Sequence, residues 1–278
     1  MEGAECLSPA TVPHRLLRLQ NTTDMNHEPP PFRMKVLGIC GSPRGSASRT
    51  LRLVQAVLQG AGEAGATTEC LDLWMYEIQP CTGCMLCHRM GECVQRDDFM
   101  ELQRELEDAD GVVLGSPVYV DNVTGMMKNF VDRLAGAIHC QLLHGKYGCS
   151  VSTSRDSGGD EVVAYLNHVL NLLGAIAVGG VSAAHRSDPD AMGRGEEEAR
   201  ALGRTLAGAI GGTRRFPEQE VLLAEIHEDF RPSYWRSGRM HPTIIITGRS
   251  GGGCRGMRRD ALLTCTPGNP TEPLIQLQ

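Results

Sequence analysis

From Met34 to Ile210, five short apolar runs alternate with five segments of helical periodicity, and this alternation limits the fold more than any other feature of the chain. The runs are Lys35–Ile39, Thr67–Leu73, Gly111–Gly115, Gly148–Thr153 and Ala175–Val181. The helical segments are Ser48–Ala64, one from Asp97 or Asp98 to Asp108, Gly125–Ala137, Asp160–Leu173 and Glu196–Ile210. Leu51, Val54, Val57 and Leu58 recur at helix spacing, as do Phe99, Leu102 and Leu106. Gly111–Gly115 is apolar throughout, which suits a strand covered on both faces. Strands joined through helices run parallel. The expected fold class is α/β, a doubly wound five-stranded parallel sheet with helices on both faces. Ligands of such sheets bind outside the carboxyl ends of the strands, near the switch in strand order.

The loops after the first, third and fourth strands are the ones rich in glycine, serine and threonine. In the first, Gly41–Ser48 separates a strand from a helix, so unpaired N–H groups and the helix dipole favour an anion there. Ser42, Ser48 and Thr50 add hydroxyls, and Arg44 adds charge. The loop lacks the Gly-Lys-Ser/Thr of a nucleoside triphosphate site and the G-x-G-x-x-G of a dinucleotide site. The spacing therefore favours a terminal phosphomonoester. After strand three, Pro117 restricts the chain. Tyr119 can stack on a flat ring, and Asn122 offers both a donor and an acceptor. Backbone groups near Val118 can reach ring heteroatoms. After strand four, Thr153-Ser-Arg-Asp-Ser-Gly-Gly159 lets the backbone approach a ligand closely.

Together, Gly41-Ser-Pro-Arg44 with Ser48 and Thr50, Ser116-Pro-Val-Tyr119 with Asn122-Val-Thr-Gly125 and Lys128, and the Ser154–Gly159 turn resemble the NADPH-dependent FMN reductase family, which has a flavodoxin-like fold. The resemblance covers about Met34 to Ile210. It implies that Ser42, Arg44, Ser48 and Thr50 hold the FMN phosphate. Pro117, Val118, Tyr119 and Asn122 would line the isoalloxazine ring, and Thr153, Ser154 and Gly159 would close its other edge. Ser48 stands where many relatives have asparagine, and either residue caps a helix.

A long loop, Trp74–Val94, carries Cys81-Thr-Gly-Cys-Met-Leu-Cys-His-Arg-Met-Gly-Glu-Cys93. Thiolates two residues apart grip one centre from a tight turn. Cys81, Cys84, Cys87 and Cys93 suit a [4Fe–4S] cluster, whose irons each take one sulfur ligand. Zinc and thiol exchange are the alternatives, although four-cysteine zinc sites more often split into two separated pairs. The run also resembles the motif of the iron–sulfur flavoproteins, a branch of the same family with a [4Fe–4S] cluster beside FMN. Cluster-free members share the pattern, here with Gly91-Glu-Cys93 and Asp97-Asp98, so the centre stays open between a cluster, zinc and none. His88 reads as an exposed loop residue.

The resemblance implies an oxidoreductase passing electrons from NAD(P)H through FMN to an acceptor, with no side chain acting as acid or base. A flavoprotein electron carrier fed by ferredoxin and a cysteine-based redox or zinc module are the competing classes. Family members usually form homodimers or homotetramers. A net charge of −6 argues against a nucleic-acid surface, and no apolar run reaches the 18 residues of a membrane span. With no signal peptide evident, the expected compartment is the cytoplasm. Residues 1–33 are expected to be a disordered leader or an upstream extension of a start at Met34. The domain is placed at 34–212, and 213–278 is read as a partly irregular extension with a helix near Glu218–Asp229 and a strand near Thr243–Thr247.

Overall fold

The computed structural model describes residues 34–186, 188 and 190–236. The leader and the strand expected near Thr243–Thr247 lie outside these residues. The elements run β1 (Lys35–Cys40), α1 (Arg49–Glu63), β2 (Thr67–Asp72), α2 (Leu86–Met90), α3 (Phe99–Asp108), β3 (Gly111–Pro117), α4 (Gly125–Arg133), α5 (Ala135–His139), β4 (Tyr147–Ser154), α6 (Gly159–Leu172), β5 (Ile176–Ala184), α7 (Ala191–Ile210) and α8 (Pro217–Arg236). The five strands form one sheet in the order β2-β1-β3-β4-β5, and every pair is parallel. The expected doubly wound, flavodoxin-like sheet is what forms.

Alternation along β1 separates two cores. Leu37 and Ile39 face a layer containing Phe99, Leu102 and Leu106 of α3, Met127 and Phe130 of α4 and Leu166 of α6. Val36 and Cys40 face Leu53, Val54 and Val57 of α1 and Leu206 of α7. The period of two in the strand thus meets the period of 3.6 in the helices on both sides of the sheet.

Some boundaries differ from the expected ones. β3 runs on to Pro117 because Ser116 and Pro117 stay in register with Ser152 and Thr153 of β4. The expected Gly125–Ala137 helix divides at Leu134, whose N–H bonds back to the carbonyl of Val131 in a tightened last turn. The helix at Glu218 is longer than expected, from Pro217 to Arg236. Its first turn is tied to the sheet through Gln219, whose Oε1 accepts from Asn171 Nδ2 at 2.7 Å and from the N–H of Ala177 at 3.3 Å. Among the described residues, no helix is long and apolar enough to cross a membrane.

Candidate functional site

At the carboxyl edge β1 and β3 lie side by side, and the chain leaves them toward opposite faces, through α1 and α4. The loop after β1 turns through a short 3-10 segment, Gly45–Ala47, into α1. Ser48 is the N-cap, and its Oγ accepts from the N–H of Leu51 at 3.1 Å. The Ser48 hydroxyl also lies within hydrogen-bond reach of the Cys40 thiol. Ser42, Ser48 and Thr50 are buried, whereas Arg44 is exposed at the rim. Thr50 Oγ1 lies 2.6 Å from Thr153 Oγ1, so this pair joins the first loop to β4 and only one of its two hydrogens is free.

The second loop is tied to the first. Thr124, the N-cap of α4, donates its hydroxyl to the carbonyl of Gly41 at 2.6 Å and accepts from the N–H of Met127. Ser116 Oγ accepts from the N–H of Thr124 at 3.0 Å. Val118 donates its N–H to the carbonyl of Thr153 at 2.9 Å, which joins the second loop to the third. Pro117, Val118, Tyr119, Asn122, Thr153 and Ser154 are thereby drawn to one edge with the first loop.

Tyr119 and Asn122 exchange backbone hydrogen bonds of 2.8 and 3.1 Å around a two-residue turn. Both central residues have positive φ, +50° at Val120 and +55° at Asp121. Such a turn suits Asn-Gly; a β-branched residue there is strained. Val120 is 99% exposed, so no packing compensates. Val120→Asn is expected to stabilise the protein by roughly 1 kcal/mol, because Asn tolerates the left-handed region where other residues lose about 1–2 kcal/mol. A urea midpoint that failed to rise would refute this.

Gly159 opens α6 where that helix meets the sheet. A methyl group on it would lie 2.9 Å from Ser182 Cβ, so close helix-to-sheet packing accounts for the glycine. Gly158, with φ +84°, faces the second loop, 3.0 Å from Val118 Cγ1 by the same construction. Trp74, 56% exposed, lies against Gly45 of the first loop. Arg49 Nη1 lies 3.3 Å from His185 Nε2 beside the start of α1. These neighbours come from distant segments, and only the glycine pair and the Thr-Gly start of α4 carried a local signal.

Cys81, Cys84, Cys87 and Cys93 line one small cavity of about 30 Å³ together with His88 and Arg133. Among the described residues, no three His, Cys, Asp or Glu side chains are arranged to hold a single metal ion. The N–H of Leu86 and the hydroxyl of Thr82 hold the Cys84 thiol below its ordinary pKa. Burial, then the neighbouring Cys93, push that of Cys87 up. His88 lies on α2, partly buried, with its ring 4.7 Å from that of His139, and is not the exposed loop residue expected. A groove lined by Tyr76, Ile78, Cys81, Gly125 and Asn129 runs from the start of α4 to the cysteines.

The loop carrying the cysteines is anchored by two aspartates. Asp98 Oδ2 accepts from the N–H of Glu77 and Asp97 Oδ2 from that of Gln79, both at 2.8 Å. Asp97 also accepts from the N–H of Phe99 at 3.1 Å and forms an ion pair of 2.5 Å with Arg133, both side chains being buried.

The fold and these loops define a doubly wound α/β protein with its polar loops gathered at the switch point. The chain belongs to the NADPH-dependent FMN reductase family, whose model matches residues 34–189. It is 44% identical over 149 residues to an iron–sulfur flavoprotein of Archaeoglobus fulgidus, a match covering 52% of this chain and 66% of the relative, just under two thirds of its length. It is 36% identical over 148 residues to an iron–sulfur flavoprotein of Methanocaldococcus jannaschii, covering 52% of this chain and 76% of the relative. Among solved structures, an FMN-dependent NADH-azoreductase of Bacillus anthracis in complex with FMN has the same fold, with a TM-score of 0.50 and 18% identity over 63% of this chain and 99% of the other.

Proposed function

We propose that the protein is an FMN-dependent oxidoreductase that passes electrons from NAD(P)H to an acceptor, with a [4Fe–4S] cluster held by Cys81, Cys84, Cys87 and Cys93. The observation that carries the flavin reading is the mutual bonding of three polar loops at the switch point, through Thr50–Thr153 and Thr124–Gly41. Family membership and the FMN-bound structural neighbour support it.

Ser42, Ser48 and the first N–H groups of α1 would bind the terminal phosphate, with Arg44 closing it from the rim and Thr50 supplying at most one hydrogen. Pro117, Val118, Tyr119 and Asn122 would orient the ring. Asn122 Oδ1 already accepts from the N–H of Val123, so its amide N–H groups are the ones turned to a ligand. Thr153 and Ser154 would close the far edge, with Gly158 making room and Gly159 seating α6 on the sheet. When bound, the flavin supplies hydride acceptance in pairs of electrons and release singly or in pairs. The chain itself binds, orients and screens; no side chain is assigned as acid or base.

Four cysteines line one cavity, and their compact C-x2-C-x2-C-x5-C spacing supports a cluster over zinc, whose four-cysteine sites more often split into two separated pairs. A zinc ion draws every sulfur to about 2.3 Å from one centre, whereas a cubane gives each sulfur its own iron. A cluster on all four cysteines would also favour a second reading, in which the protein is an electron carrier fed by a reduced protein such as ferredoxin. The exposed Trp74 and Met75 suit a subunit contact, so a homodimer or homotetramer is the proposed assembly.

The test is the visible spectrum of anaerobically purified protein after reconstitution with FMN, iron and sulfide. Flavin bands, a broad absorption that bleaches on reduction, and four irons per chain are expected. Protein that retains no FMN overturns the flavin reading. Rapid oxidation of NADPH in stopped flow separates the reductase from the carrier, and a monomer in light scattering overturns the assembly.

A further inference from the structure

We infer that Arg133 is a positioning residue for the cysteine centre, holding Cys93 in place and keeping a cationic N–H donor on its sulfur. The inference rests on the cluster reading above. Arg133 ends α4, yet its side chain is fully buried. A guanidinium is seldom buried without partners, because the desolvation cost is large. Here four of its N–H groups are spoken for. Nη1 donates to Asp97 Oδ2 at 2.5 Å and to the carbonyl of Gln79 at 2.8 Å. Nη2 donates to Asp97 Oδ1 at 3.0 Å and to Cys93 Sγ at 3.3 Å. The guanidinium also lies 4.6 Å above the ring of Phe99.

Gln79 precedes the first cysteine of the run and Cys93 is the last. One side chain therefore grips both ends of the loop that carries all four. Asp97 reinforces the grip by accepting from the N–H of Gln79. The five-residue gap before Cys93 leaves it the least constrained of the four by local turn geometry, and it is the one Arg133 touches. Stability alone does not call for a donor on sulfur: Asp97 already neutralises the charge. Hydrogen bonds to cluster sulfurs stabilise the more negative, reduced state, and so raise the reduction potential.

The test compares the wild-type chain with Arg133→Met/Asp97→Asn, which removes the buried pair together, and with Arg133→Lys, which keeps a charge and a donor. Bound FMN reports that each variant is folded. The double variant is expected to lose iron to a chelator about 10- to 100-fold more readily, the usual range for a lost partner of a metal ligand. Its iron–sulfur signal should also reduce at a more negative midpoint, with Arg133→Lys in between. A wild-type chain that takes up no iron overturns the cluster reading and this inference with it. A wild type that holds iron, with a double variant matching it in both chelator resistance and midpoint, overturns this inference alone.

Discussion

Asp97→Ala is expected to destabilise the protein by about 3–5 kcal/mol, the cost of leaving a buried charge without its partner. That is a large part of the roughly 5–15 kcal/mol that holds a domain folded. The substitution strips Arg133 of its carboxylate, and both side chains are buried. It also frees the N–H groups of Gln79 and Phe99, which Asp97 accepts from two directions. The same pair predicts an acid limb. Desolvation pushes the Asp97 carboxyl up, but the hydrogen bond from Arg133, the two N–H groups and the charge of Arg133 outweigh it, so its pKa is held below the usual value. A depressed carboxylate contributes stability above its unfolded pKa of about 3.9, and that contribution is lost as pH falls through the lower folded value. Urea midpoints of the wild type should therefore drop below about pH 4 more steeply than those of Asp97→Asn. Removing the exposed Lys128–Asp132 pair on α4 makes a control, since such pairs contribute about 0.5 kcal/mol or less. A loss at Asp97 no larger than at this control would sink the argument.

That ion pair is also where the sequence was least legible. Asp97 reads as the start of a helix and Arg133 as one more position of the Gly125–Ala137 helix, because nothing within a few residues of either marks it as buried. What makes them a buried pair is a contact across 36 positions. No periodicity encodes it. The loop after β1 is the opposite case. Its strand, its Ser48 cap and the apolar face of α1 are all local, so the sequence placed them within a residue or two of where they fold. The serine and threonine ends of β3 and β4 fall between the two. Ser116, Pro117 and Ser154 read as loop by composition, yet the parallel register carries both strands through them. The consequence for the candidate site is direct: the polar groups at the switch point stand on sheet, which is more rigid than loop.

Two helix glycines show the same dependence on distant contacts. Gly60 in α1 and Gly203 in α7 look like weak points in two helices, each costing about 1 kcal/mol against alanine by propensity alone. In the structure they are where the helices cross. A methyl group on Gly203 would lie 1.9 Å from the carbonyl oxygen of Val57, and one on Gly60 would lie 1.9 Å from that of Arg200. These obstacles are backbone, so no rotamer change relieves them.

Gly203→Ala should therefore destabilise by about 3 kcal/mol or more, at or beyond the usual range for an overpacked core, against the gain its helix propensity would bring. Gly193→Ala in the same helix tests the sign. A methyl group there meets nothing within 4 Å, and the residue is exposed, so the propensity gain of up to about 1 kcal/mol should appear undiminished. Gly60→Ala combined with Gly203→Ala should cost less than the sum of the two, because parting the helices once relieves both clashes. The effect should reach the candidate site as well. α1 carries Ser48 at its cap and Thr50 in its first turn, and Thr50 is held to β4 by a single hydroxyl contact. Pushing α1 off α7 shifts the helix start relative to Gly41 and Thr153. FMN affinity should then fall in Gly203→Ala even at temperatures where the variant is fully folded, while Gly193→Ala binds as the wild type does. Fluorescence titration with FMN, run beside thermal melts of the two variants, checks both halves. A Gly203→Ala protein as stable as Gly193→Ala would mean that the helices do not cross where these glycines stand.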